Sequence, residues 1–167
     1  MGLLSSRLDA MRIRASSPDG MVTGELRDRT QVYLSFASGS YRSYDEATLE
    51  EQLIGLARRL WAGRMKEYYA AVSEAFGETV TKEAPPVGQR DIAFHKARDE
   101  LVAEGRSADG RVYLQVRGMR SWTVRIKDGT LRALPEEAFA AHVLEAAAAL
   151  IDDQFTQVRA LKEEIFG

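Results

Sequence analysis

Cysteine is absent from the 167 residues, which excludes a disulfide framework, thiolate metal sites and a cysteine nucleophile together. There is no long hydrophobic run either. The most apolar segment, 138–151, is interrupted by His142 and Glu145, so nothing approaches the roughly 20 apolar residues that cross a bilayer. Positive charge is not in excess: 23 Lys and Arg stand against 25 Asp and Glu, a formal net charge of -2. A dedicated nucleic-acid binder is more often basic overall, because binding releases counterions from phosphates, although a local basic patch can still bind. Phosphate loop, nucleophile elbow and dinucleotide fingerprint are all missing. These gaps point to a non-enzymatic protein that needs no cofactor. The first eleven residues carry Arg7 and Asp9 after two leucines and lack the apolar stretch of a secretory signal, so a cytoplasmic chain is expected. Met1-Gly2-Leu3-Leu4-Ser5-Ser6 fits the N-myristoylation pattern, which is loose enough to arise by chance.

What is present is an internal repeat. A shift of 90 residues lays 17–77 on 107–167 without a gap. Ser17, Asp19, Gly20, Val22 and Arg27 recur as Ser107, Asp109, Gly110, Val112 and Arg117. Gly39, Arg42 and Glu46 recur as Gly129, Arg132 and Glu136. Ala57, Leu60, Ala70, Glu74, Phe76 and Gly77 recur as Ala147, Leu150, Ala160, Glu164, Phe166 and Gly167. These 14 identities over 61 positions exceed the roughly four that ordinary composition supplies, and duplication is the reading they support. Each half falls near the size where a lone core is marginal, so the two are expected to share buried surface.

Alternation marks strands in each copy: Val112, Leu114 and Val116, then Trp122, Val124 and Ile126, with Val22, Gly24, Leu26 and Val32, Leu34, Phe36 in the corresponding places. Two such strands make an antiparallel hairpin. After the turn glycines 39 and 129, a short third strand or turn is expected at 41–44 and 131–134. A long helix then begins near Asp45 or Pro135. Its apolar face runs through Leu49, Leu53, Leu56, Leu60, Met65, Tyr68, Val72 and Phe76, matched by Phe139, Val143, Ala146, Leu150, Phe155, Val158 and Phe166. Helices of about thirty residues exceed what one small sheet can cover, which invites pairing between the copies. Shorter helices are expected at 3–13 and 91–104. The segment 78–90, with Pro85, Pro86 and Gly88, reads as a linker between units 1–77 and 91–167. The fold class is α+β: short helix, hairpin, long helix, twice.

A short helix, a turn such as Ser107-Ala108-Asp109-Gly110, the alternating pair 112–116 and 122–126, and a long helix resemble the YbaB/EbfC family of small bacterial nucleoid-associated proteins. The resemblance spans both copies and rests on residue classes, without an invariant catalytic signature. It implies a DNA-binding protein of the bacterial nucleoid. Single-copy members dimerise, so the fused chain would form a pseudo-dimer within one molecule, as a monomer or weak homodimer. Similar units occur in accessory proteins of actinobacterial type VII secretion, which implies the alternative of a protein-interaction adaptor or chaperone.

Two basic groups are the candidate double-stranded DNA contacts. One is Arg58, Arg59, Arg64 and Lys66 on the first long helix. The other is Arg111, Arg117, Arg125 and Lys127 on the exposed hairpin face of the second copy. Both types of charge also occur simply as solvated faces. The first copy carries Met21, Thr23, Glu25, Arg27, Tyr33 and Ser35 on its hairpin face, so the basic character reads as unshared. Arg58, Arg59, Arg64 and Lys66 align with Ala148, Ala149, Gln154 and Thr156, which argues against symmetric base readout. Tyr33 and Tyr113 are the candidate contacts for a protein partner. Asp91, His95 and Asp99 share a helix face at four-residue spacing, but exposed aspartates are common and no fourth metal ligand is suggested. His142 aligns with Gln52 as a polar helix position. Asp152 and Asp153 lie on adjacent faces and form no acid-base pair.

Overall fold

The computed structural model describes residues 3–167, so Met1 and Gly2, the acceptor of the myristoylation pattern, lie outside the described residues. Helix α1 (Leu3–Asp9) leads into strands β1 (Arg12–Ser16), β2 (Val22–Arg27) and β3 (Gln31–Phe36), a single 3-10 turn at Tyr41–Ser43, and the long helix α2 (Glu46–Phe76). The same order returns as α3 (Gly88–Glu100), β4 (Val102–Arg106), β5 (Val112–Arg117), β6 (Ser121–Ile126), a helical turn α4 (Thr130–Ala133) and α5 (Glu136–Phe166). The chain is thus α+β, with two three-stranded antiparallel sheets in the orders β1-β2-β3 and β4-β5-β6. Their registers coincide when 90 is added to each number: Arg12 pairs with Arg27 and Arg27 with Gln31, as Val102 pairs with Arg117 and Arg117 with Ser121.

The third strand of each sheet precedes the hairpin instead of following it. Strands β1 and β4 begin within the ends of the helices expected at 3–13 and 91–104 and run on past them, and the segments after Gly39 and Gly129 are tight helical turns. The turn Ser-x-Asp-Gly explains the difference. Ser17 and Ser107, both 1% exposed, accept the N–H of Val22 and Val112 on their hydroxyls. The same hydroxyls donate to Asp19 and Asp109, whose carboxylates take the N–H of Met21 and Arg111. Gly20 and Gly110 sit at φ 75° and 76°, where a side chain would be strained. This network reverses the chain between two strands, so the residues before it are drawn into the sheet.

Helix α2 starts at Asp45, whose side chain accepts the Thr48 N–H at 2.7 Å, and ends at Gly77 in the left-handed conformation (φ 71°). Its face Leu49, Leu53, Leu56 and Leu60 is buried, as are Phe139, Val143, Ala146 and Leu150 of α5. Each large side chain removed from water stabilises the fold by about 1.5–3 kcal/mol. Beyond that point the expected apolar face thins: Phe76 is 69% and Phe166 48% exposed. The later turns instead carry the short helices, α1 against α2 and α3 against α5, with the Phe94 and Phe166 rings 5.7 Å apart.

The long helices meet mainly strands. Helix α2 lies on β1 and β2 and reaches β6 of the other sheet, while α5 lies on β4 and β5 and reaches β3. Residues of both halves therefore form one core. Phe139 stacks within 6.2 Å of Phe36 and 5.7 Å of Tyr41, and the Tyr41 hydroxyl donates to the carbonyl of Leu134 at 2.8 Å. Burial pushes that phenol up to about 12.

Candidate binding surfaces and cavity

With β1 and β4 in place, the solvent-facing side of each sheet can be read off the registers. In the first sheet it holds Arg12, Arg14 and Ser16; Thr23, Glu25 and Arg27; and Gln31, Tyr33 and Ser35. In the second it holds Val102, Glu104 and Arg106; Tyr113, Gln115 and Arg117; and Ser121, Thr123 and Arg125. Each face has three arginines, one glutamate and one tyrosine. The basic character read from sequence as confined to the second copy is shared. Arg12 was hidden in a segment read as helix, and Arg14 and Arg106 in the unassigned residues between each expected helix and its turn. The polar-apolar alternation of Arg12-Ile13-Arg14-Ala15 beside a Ser-x-Asp-Gly turn was the available signal.

In each sheet an arginine covers the tyrosine ring. Arg27 lies 4.8 Å from the Tyr33 centroid and Arg106 lies 5.3 Å from that of Tyr113. The Tyr33 hydroxyl donates to Gln31, and that of Tyr113 donates to Glu104. Glu25 is held by Arg27 at 2.7 Å, a bond that keeps its carboxyl below the usual range. Among the described residues Arg12, Arg14, Arg106, Arg117 and Arg125 stand in no ion pair. Lys127 follows β6 at the rim, exposed, its N–H bonded to the carbonyl of Arg111. Arg111 itself is engaged by Asp109 at 3.3 Å.

The basic cluster expected on α2 does not form one patch. Arg58 and Lys66 are exposed on the helix. Arg59 reaches back to the carbonyls of Ser16 and Ser17 at 3.0 and 3.2 Å, tying α2 to the end of β1. Arg64 turns inward. Its guanidinium lies 5.4 Å from the Trp61 ring and 5.9 Å from that of Phe155 on α5. Burial, followed by the like charge of Arg29, holds it below its ordinary pKa.

Arg64 belongs to the lining of a cavity of about 420 Å³ between the two halves. The walls come in pairs related by the 90-residue shift: Val32 and Trp122, Leu34 and Val124, Leu53 and Val143, Ala57 and Ala147, Leu60 and Leu150, Trp61 and Ile151. Two pairs break the apolar match, Arg29 with Met119 and Arg64 with Gln154. Sequence reading did not find this cavity, because its walls are the inner faces expected to close a core.

Two further polar groupings are structural. His142 contacts the carbonyl of Ala138 through Nδ1 at 2.7 Å and the Asp109 carboxylate through Nε2 at 2.8 Å. These bonds raise the imidazole pKa, while the Asp109 carboxyl, bonded also to the Arg111 N–H and the Ser107 hydroxyl, falls to about 2. His142 thus clamps the β4–β5 turn to α5. His95 lies 3.6 Å from Asp91 and 3.7 Å from Glu83. Glu83 is itself gripped by both terminal nitrogens of Arg98 at 2.6 and 2.7 Å, so this group anchors the segment before α3 onto it.

No family model matches the chain, and neither a search of curated proteins nor one of solved structures finds a match.

Proposed function

We propose that the chain is a non-enzymatic, DNA-binding protein of YbaB/EbfC type. In this reading two duplicated units form an intramolecular pseudo-dimer and hold double-stranded DNA through their outward sheet faces, with contacts mainly to the phosphate backbone. The observation that carries the reading is the equal complement of three arginines on each face, five of the six in no ion pair among the described residues. Each face sums to about +2 on a chain whose total is -2. Arginine on a rigid strand meets phosphate oxygens with little reorganisation, and such contacts carry affinity without sequence information. The remaining acidic charge lies elsewhere on the surface, which reconciles an acidic total with an anionic partner. A place in the nucleoid follows from this reading.

The alternative is an adaptor or chaperone for a partner protein, for instance in type VII secretion. It is favoured by Tyr33, 38% exposed, which with its covering arginine would suit an acidic protein surface.

Titration of a labelled mixed-sequence duplex at low and moderate salt separates the two. The expected result is binding whose affinity falls with salt. Arg12→Ala/Arg14→Ala/Arg27→Ala and Arg106→Ala/Arg117→Ala/Arg125→Ala should each lower the slope of log K against log salt, by up to about 0.9 for every phosphate no longer neutralised. Arg64→Ala should leave the slope unchanged. Absence of binding at the lowest salt would overturn the DNA reading and leave the protein partner.

A further inference from the structure

We infer that the cavity between the two halves is a binding site for a single-chain amphipathic carboxylate, a free fatty acid. The apolar tail would lie between the paired walls, and the carboxylate would meet Arg64. The inference stands independently of the DNA reading, which uses other surfaces.

Shape and chemistry agree. The volume of about 420 Å³ falls within the roughly 300–1,000 Å³ of small-molecule sites, and the walls are apolar with few polar groups, as such sites require. The charged residues of the lining are all cationic: Arg29, Arg64, Arg159 and Lys162, with no aspartate or glutamate among them. They come from the turn after β2 and from the later halves of α2 and α5, so the positive charge gathers at one end. Arg29 is occupied by Asp9 at 2.5 Å. Arg64, Arg159 and Lys162 have no ion-pair partner among the described residues. A half-buried guanidinium resting on Trp61 and Phe155, near the Asp9-paired Arg29 but with no carboxylate of its own among the described residues, is an arrangement that an incoming anion would complete. Its planar fork matches a carboxylate in a two-bond geometry.

A second observation points the same way. Gln154 takes the place on α5 that Arg64 has on α2, is 8% exposed and lines the cavity, yet its side-chain oxygen has no hydrogen-bond partner among the described residues. The indole N–H of Trp122, also in the lining, has none either. Buried polar groups are normally paired. An all-apolar core at this position would need neither Gln154 nor Arg64, whereas a ligand with a polar end gives both a role.

Trp61 and Trp122 are the only tryptophans of the chain, and both line the cavity, so intrinsic fluorescence reports directly on its occupancy. The experiment titrates the full-length chain with dodecanoate and hexadecanoate below their micellar concentrations, follows tryptophan emission, and fixes stoichiometry by calorimetry. The expected result is saturable binding of one carboxylate per chain, with the methyl ester of the same acid at least about tenfold weaker, the usual scale of a charge-assisted bond. Arg64→Met should weaken the acid about tenfold and leave the ester unchanged. Ala147→Phe, which fills the middle of the cavity, should abolish both, with circular dichroism verifying that each variant is folded. No saturable change with either acid overturns the inference. So does equal affinity for acid and ester, or insensitivity to Arg64→Met. A concentration-dependent homodimer that masks the tryptophans and resists displacement by the acid overturns it too, since a second copy would then be the occupant.

Discussion

The Glu50 carboxylate on α2 accepts the backbone N–H of Ile126, 76 residues away, at 2.7 Å. Ile126 is 4% exposed and ends the edge strand β6, where no further strand takes its N–H. One turn earlier on α2, Glu46 takes the N–H of Gly129 at 3.3 Å. The first half thus caps the open edge of the second. The equivalent of Glu50 in α5 is Ala140, so β3 receives no such cap.

Glu50→Ala leaves a buried N–H without an acceptor. A loss of about 1–3 kcal/mol is expected in urea unfolding, with Glu50→Gln, which keeps an acceptor oxygen, recovering most of it. If Glu50→Gln is as damaging as Glu50→Ala, the bond is not what joins the halves.

Strand β4 crosses α5 at Gly105, where a Cβ would collide with the carbonyl oxygen of Ala146 and the amide nitrogen of Leu150. Backbone atoms cannot swing aside as side chains do. Gly105→Ala should therefore destabilise by about 1–3 kcal/mol or more, and Gly105→Val further. The aligned residue of the first copy is Ala15, so α2 is expected to tolerate Ala15→Gly with a much smaller change in thermal midpoint.

The clamp between His142 and Asp109 predicts a pH dependence of stability. The folded imidazole has a raised pKa, so its contribution is complete below the ordinary value of 6.5 and is lost as pH rises through the raised folded value. Asp109 acts in the opposite sense: its contribution is present above 3.8 and is lost as pH falls toward about 2. Denaturant midpoints measured from acid to mildly alkaline pH should show wild type losing stability relative to His142→Gln as pH rises beyond 6.5. Parallel curves would refute the clamp.

Thr130 is fully buried, and its hydroxyl has no hydrogen-bond partner among the described residues. Exchanging an unpaired hydroxyl for a methyl of similar shape removes a desolvation penalty, so Thr130→Val should stabilise by up to about 1 kcal/mol, read as a higher thermal midpoint. A loss of stability would mean that the hydroxyl is satisfied after all.

The sequence by itself determined the repeat of elements and its offset, the hairpins and the buried stripes along the first halves of both long helices. These follow from local periodicity, which a pleated strand or a helix imposes on each residue whatever its distant neighbours. It carried the Ser-x-Asp-Gly turns as well, but five residues of weak alternation in β1 and β4, the first of them taken into the expected helices, were too short to announce a strand, and pairing with β2 and β5 decided them. Tertiary structure alone decided where the arginines went. Arg58, Arg59 and Arg64 are neighbours on α2, yet one faces water, one holds the β1 end and one enters the cavity, because α2 lies between its own sheet and the edge of the other. Arg12 and Arg14 on one strand meet Arg27 of the next on one face. The cavity is tertiary too: paired apolar positions say that two faces meet, while whether they close or leave a space depends on how far apart the packed backbones hold them.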